Sequence, residues 1–303
     1  MNGNAARTGG RCTAGVLLLL AALFFIPGVS AQDAATLRAR QAVLRDQLAN
    51  NEFQRPLVLE SAQTDGTLKG DVYAVVTQPY TVVGQALNAM DHWCDILILH
   101  LNVKNCRARD SDAGSILSIA VGRKFYEPLE FAYWVEFTYR VAASDPNYLV
   151  VLLNADAGPL GTKSYRIVLE AVPLDMNSTF VHLSYSYAYG IVCRVAMQGY
   201  LTTIGRNKVG FSIVERKPDG TPVYVSNVRG MIERNTMRYY IAIEAYLGAY
   251  ALPVSEQPEK RLRDWFDAVE RYPRQLHELE RDEYLSMKRR ELARQQAMVV
   301  KAN

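Results

Sequence analysis

Apolar and polar residues alternate along the middle of the chain and follow a helical period at both ends. Over residues 33–50, Leu37, Leu44 and Leu48 fall on one helical face with Gln41, while Arg and Asp occupy the rest. Asn50 and Asn51 end that pattern, and residues 51–69, with Pro56 and the Asp65-Gly66 turn signal, read as loop. Residues 70–77 read as a strand, closed by Gln78-Pro79. Pro79 suits the first turn of a helix, and Val82, Val83, Leu87, Met90 and Trp93 continue it at helical spacing. Residues 96–104 then turn extended.

The middle predicts antiparallel strands with unlike faces. Residues 115–121 are apolar and β-branched. Over 131–141, Phe131, Tyr133, Val135, Phe137, Tyr139 and Val141 share one face, and Glu136, Thr138 and Arg140 the other. Residues 148–153 and 165–172 follow, the latter with Arg166 and Glu170 on its polar side. Over 180–189, Val181, Leu183, Tyr185, Tyr187 and Tyr189 oppose His182, Ser184 and Ser186. Residues 191–204 lean to helix, and 207–214 read as a strand. Residues 233–250 form an apolar helix with Met237, Tyr240, Ile241, Ile243, Tyr246 and Leu247 on more than one side, so other structure should cover it. Beyond Pro253, Leu262, Trp265, Phe266 and Val269 mark one short amphipathic helix, and Leu276, Leu279, Tyr284, Leu285 and Leu292 another, within a highly charged tail of mixed sign.

The N-terminus changes the reading of compartment and charge. Arg7 and Arg11 precede an apolar run over 17–26, broken by Pro27 and followed by the small residues Val29, Ser30 and Ala31. That order reads as a secretory signal with cleavage near Ala31, with an uncleaved membrane anchor as the alternative; the run is shorter than the roughly 20 residues a spanning helix needs. The chain is expected in the periplasm or outside the cell. Its net charge is +3, and removing residues 1–31 takes two Arg and no acid. A balance so near neutrality gives no footprint for nucleic acid. Cys94, Cys106 and Cys193 remain in an oxidising compartment. Cys94 with Cys106 is the favoured disulfide, with three free buried thiols as the alternative. Cys193, among Ile191, Val192, Val195 and Ala196, reads as a buried thiol.

The order of strand, helix, several long antiparallel strands and a long apolar helix resembles the helix-grip arrangement of the START-like (SRPBCC) lipid-binding superfamily. The resemblance spans about residues 67–250. It is carried by the stretch 70–76 followed by Pro79, and by the stretch 229–240 from Arg229-Gly230-Met231 to Tyr239-Tyr240. It implies an α+β fold in which a curved antiparallel sheet wraps a long C-terminal helix around an apolar cavity. It also implies a binder of hydrophobic small molecules, and only sometimes an enzyme. The chain then divides into a signal (1–31), an N-terminal helix and loop (32–66), the α+β domain (67–254) and a charged helical tail (255–303).

Chemistry is sparse. No phosphate-binding glycine loop, nucleophile elbow or His-Glu-x-x-His zinc motif occurs, so no catalytic residues are assigned and binding is favoured over catalysis. Asp91, His92, Cys94 and His100 are metal-ligand types at no standard spacing; no metal or other cofactor is expected. The tyrosine-rich strands are more informative, because Tyr joins apolar area to a hydroxyl that needs a partner. The expected ligand-binding set is Tyr133, Phe137, Tyr139, Tyr185 and Tyr187 from the strands, with Arg238, Tyr240 and Glu244 from the apolar helix; the alternative is a sheet and helix packed together without a cavity. Arg238 or Glu244 facing inward would anchor a polar head or pair within the chain. Partners follow in the same order: a lipid or other hydrophobic small molecule, then a protein docked on residues 255–303 with Leu262, Trp265 and Phe266 as anchors. An enzyme on the same scaffold, acting on a hydrophobic substrate, is the remaining alternative.

Overall fold

In the computed structural model the described residues are 33–111, 114–190 and 207–302, together with positions 195, 197 and 199. Residues 1–32, with the expected export signal, lie outside them, as do Cys193 and most of 191–204.

Helix α1 (Ala34–Ala49) starts at Asp33, whose side chain accepts the Thr36 N–H at 2.7 Å and caps the first turn. Strands β1 (Leu57–Thr64) and β2 (Thr67–Val76) then form a hairpin. The region read as loop therefore holds a strand. Asp65-Gly66 is its turn, with Gly66 at φ 84°, a left-handed conformation that glycine adopts without strain. The start of β1 does not alternate because Leu57 and Val58 are buried on opposite faces.

The helix expected across Pro79 is two helices, α2 (Tyr80–Leu87) and α3 (Met90–Leu97). Side chains of α3 close the end of α2. Trp93 Nε1 donates to the Leu87 carbonyl at 2.9 Å, and His92 Nδ1 lies 2.9 Å from the Ala86 carbonyl. Strands β3 (Val103–Ser111), β4 (Gly114–Val121), β5 (Tyr133–Asp145), β6 (Tyr148–Ala157), β7 (Thr162–Pro173) and β8 (Thr179–Tyr189) follow. Phe131 does not join β5; it ends a single 3-10 turn and is exposed.

The main sheet has eight strands in the order β1-β2-β8-β7-β6-β5-β4-β3, every neighbouring pair antiparallel. It is open, with β1 and β3 at its edges. A small hairpin, β9 (Ile213–Arg216) and β10 (Pro222–Tyr224), stands apart. The strand read over 207–214 is mostly irregular because its amides bond elsewhere. Phe211 and Ser212 donate to the Glu233 carboxylate at 2.6 and 2.9 Å.

Helix α4 (Asn227–Ala249) is the long C-terminal helix, lying against β1, β2 and β8 with α2 and α3 beside it. Its apolar residues on several sides are covered as expected: Met237, Tyr240, Ile241 and Ala242 are fully buried. The fold is thus α+β, an antiparallel sheet on a long helix, with additional charged helices at the C-terminus. Those are α5 (Gln257–Val269), a short turn at Pro273–Leu276, and α6 (Arg281–Ala302). Helix α5 lies on α4, and α6 lies on β3 and α5.

Candidate functional site

The inner face of the sheet carries an aromatic wall. Alternation places Phe137 on β5, Tyr165 on β7, and Tyr185 with Tyr187 on β8, all pointing to the α4 side. Tyr165 lies 5.2 Å from Tyr187 in a stacked pair, and 6.0 Å from Phe137 edge to face. Tyr185 meets Tyr187 at 5.7 Å and Tyr239 of α4 at 5.3 Å. Tyr239 in turn stacks on His100 at 4.6 Å. These contacts link three strands, one helix and the segment between α3 and β3.

The buried polar atoms without a hydrogen-bond partner among the described residues include the Tyr139 hydroxyl and His100 Nε2. His100 Nδ1 accepts the Asn102 N–H at 3.1 Å, so Nε2 carries the ring proton and is a donor. Complete burial pushes the His100 pKa well below its ordinary value, and nearby Arg238 lowers it further, so the ring is neutral. Burial also raises the Tyr139 hydroxyl, with Asp91 adding to the effect. Buried donors normally find acceptors, so two orphans beside an aromatic wall mark a place for a ligand or water.

The expected set divides in three. Phe137, Tyr185 and Tyr187 come together in the wall, and Tyr139 shares their side of the sheet. Tyr133, at the start of β5, is 45 % exposed and stands outside the wall. Tyr240 and Glu244 turn elsewhere: the Tyr240 hydroxyl donates to Glu244 at 2.6 Å, and Glu244 also pairs with Arg55. Arg238 bonds the Leu276 carbonyl at 3.1 Å and Glu278 at 2.9 Å. Tyr165, Tyr239 and His100 complete the wall and were outside the expected set. Tyr165 opens a strand pattern and Tyr239 lies beside Tyr240, so their spacing was visible; nothing local marks His100.

Cys94 and Cys106 are joined in a disulfide, with Cα atoms 5.1 Å apart. It ties α3 to β3, and it leaves Cys94 no thiolate for a metal. Among the described residues no group of three His, Cys, Asp or Glu is placed to hold a metal ion.

The outer face holds a second polar cluster. His182 Nε2 lies 2.9 Å from Asp71 Oδ1 and Nδ1 lies 2.8 Å from Glu170 Oε2. Tyr148 donates to the other Glu170 oxygen, and Lys69 pairs with Asp71 at 2.9 Å. Tyr73 stacks on the His182 ring at 4.3 Å. The chain is covered in the region of α1, whose Leu37, Leu44 and Leu48 form an outer core with Tyr73, Tyr148 and Phe180. Its groups satisfy one another.

The tail anchors are spent internally. Leu262, Trp265 and Phe266 are buried in the main core, and Trp265 stacks on Tyr284 at 4.8 Å. They do not form a free docking face. Among the described residues, clefts of about 350 and 340 Å³ lie away from the wall. The first is lined by Leu99, Pro258, Arg261 and Leu292, the second by Phe53, Leu59 and Phe211 among others.

No family model and no curated protein matches the chain. Solved structures give remote similarities. Norcoclaurine synthase from Thalictrum flavum is 13% identical, covering 50% of this chain and 77% of its own, with a TM-score of 0.30. The Zhui aromatase/cyclase from Streptomyces sp. R1128 is 15% identical over 60% of this chain and 92% of its own, with a TM-score of 0.35. Ara h 8.0201 is 10% identical over 61% of this chain and 99% of its own, with a TM-score of 0.36. These similarities are weak; the fold class stands on the strand order and the position of α4.

Proposed function

We propose that the chain is an exported START-like module that binds a lipid or another hydrophobic small molecule between the inner face of the sheet and α4. The carrying observation is the aromatic wall of Phe137, Tyr165, Tyr185, Tyr187 and Tyr239, with the Tyr139 hydroxyl and His100 Nε2 unpartnered among the described residues. Aromatic rings supply apolar area, and a few orphan polar atoms supply orientation. The disulfide supports export, because such bonds persist in oxidising compartments.

Native mass spectrometry of the mature protein from an exported pool, with organic extraction alongside, tests this reading. A stoichiometric hydrophobic adduct is expected. A clean unliganded mass that stays clean after incubation with mixed lipids contradicts it.

A further inference from the structure

The aromatic wall ends in a strongly basic neighbourhood. Three cations converge on the single carboxylate of Glu278: Lys124 at 2.6 Å, Arg238 at 2.9 Å and Lys208 at 3.6 Å. Arg234, 2 % exposed, bonds the Val209 carbonyl at 3.1 Å, and its charge acts on Lys124. Further inside, Lys104 and Lys288 share Glu291 at 3.1 and 2.8 Å. His100 adjoins the second group, since Lys288 donates to its carbonyl at 2.7 Å. Arg238, Lys288, Lys124 and Lys104 all act on it, and its ring stacks on Tyr239, which touches Tyr185 of the wall.

A neutral Nε2–H in a field of cations is a donor that lacks an acceptor, and that field favours an anionic one. We propose that the bound hydrophobic molecule carries an anionic head, a carboxylate or a phosphate. The head accepts the His100 Nε2–H in the field of Arg238 and Lys124, while the apolar body lies on the tyrosine wall. This rests on the binding reading above and adds the chemical class of the ligand.

The test compares dissociation constants of the mature chain for hexadecanoate, hexadecyl phosphate and hexadecanol by titration calorimetry below their aggregation limits. At least one acid should bind about tenfold or more tightly than the alcohol, since hydrogen bonds to charged groups are the stronger ones. The preferred acid separates a carboxylate from a phosphate head. In His100→Phe, which keeps the stack on Tyr239, and in Lys124→Gln, a partly exposed position, that preference should fall to within about threefold. Equal affinity for acids and alcohol overturns the anionic head and leaves hydrophobic binding standing. An unchanged preference in both variants overturns the assigned position. Binding of none of the three overturns both readings.

Discussion

His182 sits between two carboxylates, and each contact has a consequence for stability. Burial alone would lower its pKa, but the hydrogen bonds and charges of Asp71 and Glu170 outweigh that and hold it above 6.5. For Asp71, burial works upward and is outweighed by His182 and Lys69, which hold it below 3.8. The charged groups around the ring are Lys69 and Asp71 on β2 and Glu170 on β7, with Tyr73 and Tyr148 against them. Arg40 of α1 lies over Tyr73 at 5.0 Å and pairs with Glu60.

A raised histidine contributes stability that is complete below its unfolded pKa of 6.5 and lost as pH rises through the folded value. A depressed aspartate contributes stability that is complete above 3.8 and lost as pH falls through its folded value. Urea denaturation across pH should therefore show stability declining from pH 6.5 upward, and His182→Gln should flatten that limb. His182→Ala leaves Asp71 with Lys69 alone and Glu170 with Tyr148 alone, and should cost about 3 kcal/mol near neutrality. A variant as stable as the wild type, with the same pH profile, would contradict this ion chain.

Secondary-structure elements meet at two places where single atoms decide the fit. Gly70 of β2 faces α4, and a Cβ there would meet Thr236, whose own Cβ would be 3.1 Å away. Both sides are backbone-anchored, since Thr236 Oγ1 donates to the Ile232 carbonyl at 2.8 Å. Gly70→Ala should cost about 1–3 kcal/mol by overpacking, and Thr236→Ala in the same chain should recover part of it. Thermal unfolding measures both; a neutral Gly70→Ala would mean that β2 and α4 are not in close contact.

The second place is the seat of α6. Tyr284 donates to the Leu99 carbonyl at 3.0 Å, and Gln295 accepts the Cys106 N–H at 2.8 Å. Lys288 donates to the His100 and Val103 carbonyls at 2.7 and 2.8 Å and to Glu291 at 2.8 Å. Burial lowers the Lys288 pKa to about 8, with Glu291 opposing. The charged lysine is thus held at a cost, and the seat should tighten as pH rises from about 8 towards 10.5. Glu291→Gln leaves two buried ammonium groups facing each other and should cost about 3–5 kcal/mol. Hydrogen exchange should then show α6 losing protection before the sheet does. Loss of the Cys94–Cys106 link, whose sequence separation is 12, should cost about 3 kcal/mol in the chain-entropy model, read as a lower Tm in reductant. A Tm unmoved by reduction, with both thiols shown to be free, would contradict that contribution.

The molecule as a whole was legible wherever one local period decided the structure. β8 shows it best: Tyr185 and Tyr187 point inward and His182 and Ser184 outward, as their alternation requires. The inward wall follows directly, because inner-face residues of β5, β7 and β8 must share one side. What escaped was set by partners distant in sequence. β1 was hidden because α1 and α4 bury it from opposite sides, so it shows a short apolar run instead of alternation. The break between α2 and α3 depends on Trp93 reaching the Leu87 carbonyl. Phe131 continues the alternation in sequence, yet the 3-10 turn after Pro128 removes it from the strand. Arg238 and Glu244 stood out by position, while their ion-pair partners Glu278 and Arg55, which reach them from distant parts of the chain, did not. His100 carries no motif and gains its role only from the charges that the fold assembles around it.

The central claim is that a hydrophobic molecule lies on the inner tyrosine wall, and fluorine NMR of 3-fluorotyrosine-labelled protein addresses it directly. Single Tyr→Phe variants assign the resonances, and hexadecanoate is the titrant. Tyr165, Tyr185, Tyr187 and Tyr239 should shift together with one saturating isotherm, while Tyr73 and Tyr148 on the outer face stay fixed. Binding that moves the outer-face tyrosines and leaves the inner four unmoved would contradict the account.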